Sequence, residues 1–219
     1  MGRNPDSAAA AHYSSGMAIP SPATQACWAD LDAEEKRTRL LSAAGAVFAR
    51  DGLDAPMPAI AAAAGAGVGS VYRQFPSKRD LLAALVVERL RDIEDGADAA
   101  CASRAGAWSA LTALLWTLVE RQVVDDVLGE AMATVSEHAA VQESLARTTQ
   151  ALESLLAAAR IEGRLRADAT TLDLRLLFAA TRAAARLGDG AWSRMLELGI
   201  DALQARPGLA IDAQQARPA

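Results

Sequence analysis

Between residues 58 and 75 the sequence holds two short helix-forming segments separated only by Gly65-Ala66-Gly67. A chain that must reverse in three residues needs one position tolerant of the left-handed backbone, and Gly65 provides it. Ala61 and Ala64 are small enough for two short helices to cross steeply at close range. The pattern therefore predicts a helix over about 58–64, a turn, and a second helix over about 68–75. Ile60, Val71 and Phe75 fall on the inner side. Val68, Gly69, Ser70, Tyr72, Arg73 and Gln74 are left for the outer face and its first turn. A helix end bearing hydroxyls, an amide and a guanidinium suits docking into the major groove of DNA. Lys78 and Arg79 lie just beyond, where cations can meet phosphates. The same glycines do not make a nucleotide-binding loop. Ser70 stands where the GxGxxG pattern requires its last glycine, and a helix precedes them where a strand is needed.

The rest of the chain reads as helix. Apolar residues make up 52% but aromatics only 4%, so Ala, Leu and Val dominate. Ala and Leu lose little side-chain entropy in a helix, and period-two alternation of β-branched residues is absent. Asp32 and Glu35 have capping-box spacing ahead of Leu40, Leu41, Ala44, Val47 and Phe48, with Gly52 as the stop. After Pro76-Ser77 a long fourth helix covers about 79–101. Further helices are expected at about 108–124, 126–137 (capped by Asp125-Asp126), 141–162, 171–187 and 191–204. Gly106, Gly163 and Gly188-Asp189-Gly190 supply breaks. The expected class is all-α, with an N-terminal three-helix helix-turn-helix domain joined by the fourth helix to a C-terminal helical bundle. Its parts are a disordered tail at 1–31, in which Met17 offers an internal start, and a DNA-binding domain at 32–86 with its helix-turn-helix at about 56–75. A ligand-binding and dimerisation domain at 87–205 and a loose tail at 206–219 follow.

A net charge of −5 argues at first against nucleic acid. Residues 34–86, however, hold seven Lys/Arg against five Asp/Glu, a local +2 that leaves −7 for the remainder. Local charge governs polyanion binding. No aliphatic run approaches the ~20 residues of a membrane span, and the N-terminal residues lack a secretory hydrophobic core. Cys27 and Cys101 have no metal spacing, His12 lies in the expected tail and His138 stands alone near a helix end, so no ligand cluster can be assembled. The expectation is a cytoplasmic, non-enzymatic protein without metal or cofactor.

The string Arg39-Leu40-Leu41, Ala43-Ala44, Phe48, Gly52-Leu53, Ile60-Ala61, Ala64-Gly65, Gly69-Ser70-Val71-Tyr72-Arg73, Phe75-Pro76-Ser77-Lys78 and Leu81-Leu82 resembles the TetR-family DNA-binding domain over about 50 residues. The resemblance implies that the third helix enters the major groove, with Tyr72, Lys78 and Ser70 in the family's DNA-contacting positions. Arg39 joins them as a candidate contact. Three departures stand out: Ala66 where the family usually has Val, Ser70 for Thr, and Pro56-Met57-Pro58 where the second helix usually opens on Ser or Thr. The last removes a side-chain cap of about 1 kcal/mol and puts phosphate contacts from that helix start in question.

In the C-terminal part Trp108, Trp116, Met132, His138 and Phe178 are candidates for lining a pocket among small residues. The resemblance implies an inducer site there, with double-stranded DNA, a small-molecule effector and a second copy of the chain as partners. Leu176, Ala180, Ala183, Ala184, Leu196 and Ile200 are the candidate dimer residues on the last two helices. A two-fold dimer implies an inverted-repeat operator. Residues 163–174 resemble a family linker, and Trp192-Ser193-Arg194-Met195 with Leu198 is similar to the last helix of SbtR-like C-terminal domains. The rival reading is a helical small-molecule-binding protein that has lost DNA binding, with the altered start of the second helix as its support.

Overall fold

The computed structural model describes residues 27–124 and 127–205. The Asp125-Asp126 cap, the tail at 206–219 and the first 26 residues lie outside them. The described residues form a 3₁₀ turn at Trp28–Asp30 and the helices α1 (Ala33–Asp51), α2 (Met57–Ala64), α3 (Val68–Gln74), α4 (Lys78–Cys101), α5 (Ala107–Val124), α6 (Val127–Val135), α7 (Ala139–Ile161), α8 (Thr171–Ala185) and α9 (Ala191–Leu203). One isolated antiparallel bridge, Leu165 with Gln204, ties the α7–α8 connection to the end of α9. The all-α expectation holds. Helix ends differ from it by one or two residues, most at the start of α7 and the ends of α6 and α8.

Local chemistry explains the starts. Asp32 accepts from the backbone N–H groups of Glu34 and Glu35 at 2.8 Å, and Glu35 accepts from the N–H of Asp32 at 2.8 Å, completing the expected capping box. Ser77 with Asp80 and Thr170 with Asp173 repeat the device at α4 and α8. Helix α5 is capped from a distance. Glu162, at the end of α7, accepts from the N–H groups of Ala107 at 2.5 Å and Trp108 at 3.0 Å. These backbone donors, Trp108 foremost, hold the Glu162 carboxyl below the usual glutamate range.

Two hydrophobic cores divide the molecule along α4. The first joins α1, α2 and α3 to α4 as far as Leu90, and the second begins at Ala97. A domain boundary at 86/87 is therefore not a packing boundary. Val87 and Leu90 continue the apolar face of the 24-residue α4, and Ala131 and Val135 of α6 with Val141 of α7 cover it. The buried Thr148 of α7 also donates to the carbonyl of Leu90 at 3.1 Å. A second correction concerns the N-terminus. Residues 28–30 are a turn rather than part of a formless tail, because Trp28 packs against the first core.

Candidate nucleic-acid interface

Gly65 ends α2 at φ 65°, ψ 30°, the left-handed conformation that costs an L-residue with a Cβ roughly 1–2 kcal/mol. The N–H of Ala66 returns to the carbonyl of Ala61 at 2.9 Å, closing the reversal. Ile60, Val71 and Phe75 are buried, seating α2 and α3 on Leu40, Ala44 and Phe48 of α1. Pro56 precedes α2 without any side-chain cap, and Gly67 opens α3 in the same way. The missing cap is thus real, and burial of Met57 in the first turn anchors α2 instead.

The outer face of α3 exposes four of the six residues expected there. Val68 is 40% and Tyr72 46% exposed, too open for core residues, and Gly69 and Arg73 are also exposed. Ser70 and Gln74 are half-buried along one side of the helix, where Arg73 Nη2 donates to Ser70 Oγ at 2.9 Å. Lys78 is the first residue of α4, with Nζ 5.9 Å from the centroid of the Phe48 ring. Such a cation–π contact rests the stem on apolar surface and fixes the charge near α3. Arg39 is placed differently from the other candidates. Its guanidinium lies against the turn, where a Cβ on Gly65 would sit 3.1 Å from Nη2, so it braces the reversal instead of joining the exposed face of α3. Arg37, not among the candidates, stacks over Phe75 at 5.0 Å.

Residues 40–85 match the family model described as bacterial regulatory proteins, tetR family. A solved TetR transcription regulatory protein from Mycobacterium vanbaalenii is 31% identical, with TM-score 0.59, over 78% of this chain and 95% of that one. The chain belongs to the TetR family. A TetR transcriptional regulator from Streptomyces coelicolor is 26% identical, with TM-score 0.59 and coverage of 77% and 98%. SmeT, the repressor of the Stenotrophomonas maltophilia multidrug efflux pump SmeDEF, shares the fold at 21% identity and TM-score 0.56, covering 84% and 96%. No curated protein matches the sequence. As a TetR-family protein the chain is a DNA-binding transcriptional regulator of the helix-turn-helix type. Among the described residues no helix is long and apolar enough to cross a membrane.

The C-terminal part of this TetR-family chain holds a cavity of about 230 Å³ between α4, α5, α6 and α8. Val86, Leu90 and Ile93 line it from α4, with Leu118, Met132 and Phe178 opposite, together with Arg89 and Gly129. Of the five pocket candidates only Met132 and Phe178 are among these residues. Trp108 is buried in the second core at the start of α5. Trp116 packs edge-to-face on Trp192 with centroids 6.0 Å apart. His138 sits at the start of α7 with Nε2 3.4 Å from Asp80 Oδ1. Hydrogen bonds from Ser77 and then His138 hold the Asp80 carboxyl below the usual range. Bulk in the sequence marked where helices meet, not which meeting leaves a void; Ile93 and Leu118 carried no distinguishing signal.

The dimer candidates divide as well. Helices α8 and α9 pack closely because Gly199 leaves room for Leu177. Leu176 is 59% exposed and Ala183 is also open, while Ala180 and Ile200 are half-buried. Leu196 and Ala184 are buried inside the protomer, which removes them from the candidate surface. Leu172 on α8 and Leu198 on α9, neither of them among the dimer candidates, are also exposed.

Proposed function

We propose that the chain is a ligand-responsive, homodimeric repressor acting in the cytoplasm on an inverted-repeat operator, without enzymatic activity. The observation that carries the reading is α4 itself. One continuous helix begins at Lys78 beside the DNA-facing helix and supplies Val86, Leu90 and Ile93 to the cavity. A small molecule entering the cavity would press on the middle of the helix whose start positions Lys78. Its influence equals the difference between its affinities for the DNA-competent and DNA-incompetent states. The groove-facing residues are Val68, Gly69, Ser70, Tyr72, Arg73 and Gln74, with Lys78 on phosphate. Repression is the sense in which the similarly folded SmeT is described, and it is the sense proposed for this chain.

The exposed leucines Leu172, Leu176 and Leu198 support pairing of α8 and α9 with their copies across a two-fold axis. Such a dimer would set its reading helices about 34–36 Å apart, one turn of DNA, or a multiple of that. The test is fluorescence anisotropy with duplex from upstream of the chain's own gene. Sequence-selective binding should weaken about 10³-fold or more between ~50 and ~200 mM salt as counterions are released. Salt-insensitive or sequence-blind binding would overturn the operator reading, and no binding to any duplex would favour the rival, a ligand-binding bundle without DNA affinity.

A further inference from the structure

Trp28, Lys36, Ser70, Arg73 and Gln74 line a single cleft of about 500 Å³ on the flank of α3. The reading helix supplies three of these residues, the first turns of α1 supply Lys36, and the 3₁₀ turn supplies Trp28. Every lining side chain is a hydrogen-bond donor: indole N–H, ammonium, hydroxyl, guanidinium and carboxamide. None is a carboxylate. The bond from Arg73 to Ser70 Oγ holds the guanidinium at the cleft. Among the described residues no ion pair engages Lys36 or Arg73, so two full charges face one concavity on a chain of net charge −5.

The acids close by in sequence do not cancel them. Asp32 and Glu35 are turned into the start of α1 by their reciprocal hydrogen bonds. Asp30 and Glu34 are exposed and take no part in the lining. Trp28 is kept in place by its packing on the first core, so the cleft has a fixed third wall. A doubly cationic recess without a carboxylate, whose every side chain can donate, has beside a groove-reading helix the chemistry of a phosphate site.

We propose that this cleft binds a phosphodiester of the DNA backbone next to the groove that α3 enters. The interface thereby extends from α3 onto α1 and the Trp28 turn. The inference rests on the DNA-binding reading above and changes one part of it: Arg73, through its place in the cleft, leaves the groove-facing set and positions the backbone. Trp28 adds an N–H donor and a flat apolar wall for the adjoining sugar.

The test uses the full chain with Lys36→Gln and Trp28→Phe, which keeps the aromatic packing and removes the N–H. Binding to the upstream duplex and to an unrelated duplex is followed by anisotropy across a chloride series. Lys36→Gln should weaken both complexes by the same factor and lower the salt slope by about 1, and Trp28→Phe should weaken both without changing the slope. A Lys36→Gln chain with unaltered affinity and slope, beside a Lys78→Gln chain in which both fall, would overturn the cleft and leave DNA binding intact. A wild-type chain that binds neither duplex at ~50 mM salt would overturn the underlying reading as well. Replacing chloride with inorganic phosphate at constant ionic strength separates the two sources of phosphate. Competition is expected for a DNA-backbone site: phosphate should weaken DNA binding by wild type more than by Lys36→Gln. Phosphate binding that is lost in Lys36→Gln, with DNA affinity equal in the two proteins, would show a free-anion site and refute the assignment.

Discussion

Replacing Gly65 with alanine tests the turn on which the DNA-facing surface depends. The backbone there has φ 65°, and a Cβ would lie 3.1 Å from Arg39 Nη2. The left-handed conformation costs a residue with a Cβ about 1–2 kcal/mol. The crowded atom is the end of a flexible side chain, which can move by a few tenths of an ångström, so the backbone term dominates. Gly45, inside α1, is the internal control, because a Cβ there meets nothing within 4 Å. Alanine in a helix interior is better than glycine by about 0.5–1 kcal/mol. The same chemical change should therefore destabilise at 65 and stabilise at 45, a separation of roughly 1.5–3 kcal/mol between the variants. Urea midpoints measured at one fixed protomer concentration give the comparison, since the stability of any chain that self-associates depends on concentration. Gly65→Asn should fall between glycine and alanine, because asparagine tolerates the left-handed region better. If Gly65→Ala and Gly45→Ala unfolded at the same urea concentration, the conformational argument for the turn would be wrong.

Four further outcomes follow from the geometry. Lys78→Gln should lower affinity for specific and unrelated duplexes alike and reduce the salt slope by about 1, measured by anisotropy. Leu176→Asp combined with Leu198→Asp should shift sedimentation velocity from dimer to monomer with helicity by circular dichroism retained. Leu196→Asp, which buries a charge in the second core, should unfold the chain. Glu162 carries a folded-state pKa below its ordinary value, so its contribution is fully present above the unfolded glutamate value of about 4.3 and fades as pH drops through the lowered one. Urea midpoints of wild type should then fall more steeply than those of Glu162→Gln on acidification below about pH 5; parallel curves would show that α5 does not depend on that charge.

What could be read without coordinates was what neighbours in sequence decide. The Asp32–Glu35 cap, the left-handed Gly65, the uncapped start of α2 and the exposed Tyr72 all rest on interactions within a few residues or on helical period. Their determinants lie close together in the chain, and a 46-residue family match covers all of them except the Asp32–Glu35 cap. The C-terminal part depends instead on which helix faces meet. Trp108, Trp116 and His138 carried the same signal as Met132 and Phe178, yet only the last two line the cavity. Leu196 and Leu198 are two residues apart on α9, one fully buried and the other 47% exposed, because α9 turns the first toward its own bundle. Glu162 reaches Ala107 across 55 positions, and Trp28 meets Arg73 across a cleft. Local sequence determined the elements and the DNA-facing helix. Only tertiary packing decided the cavity, the free apolar face and the cationic cleft, because each is made where residues distant in the chain are brought together.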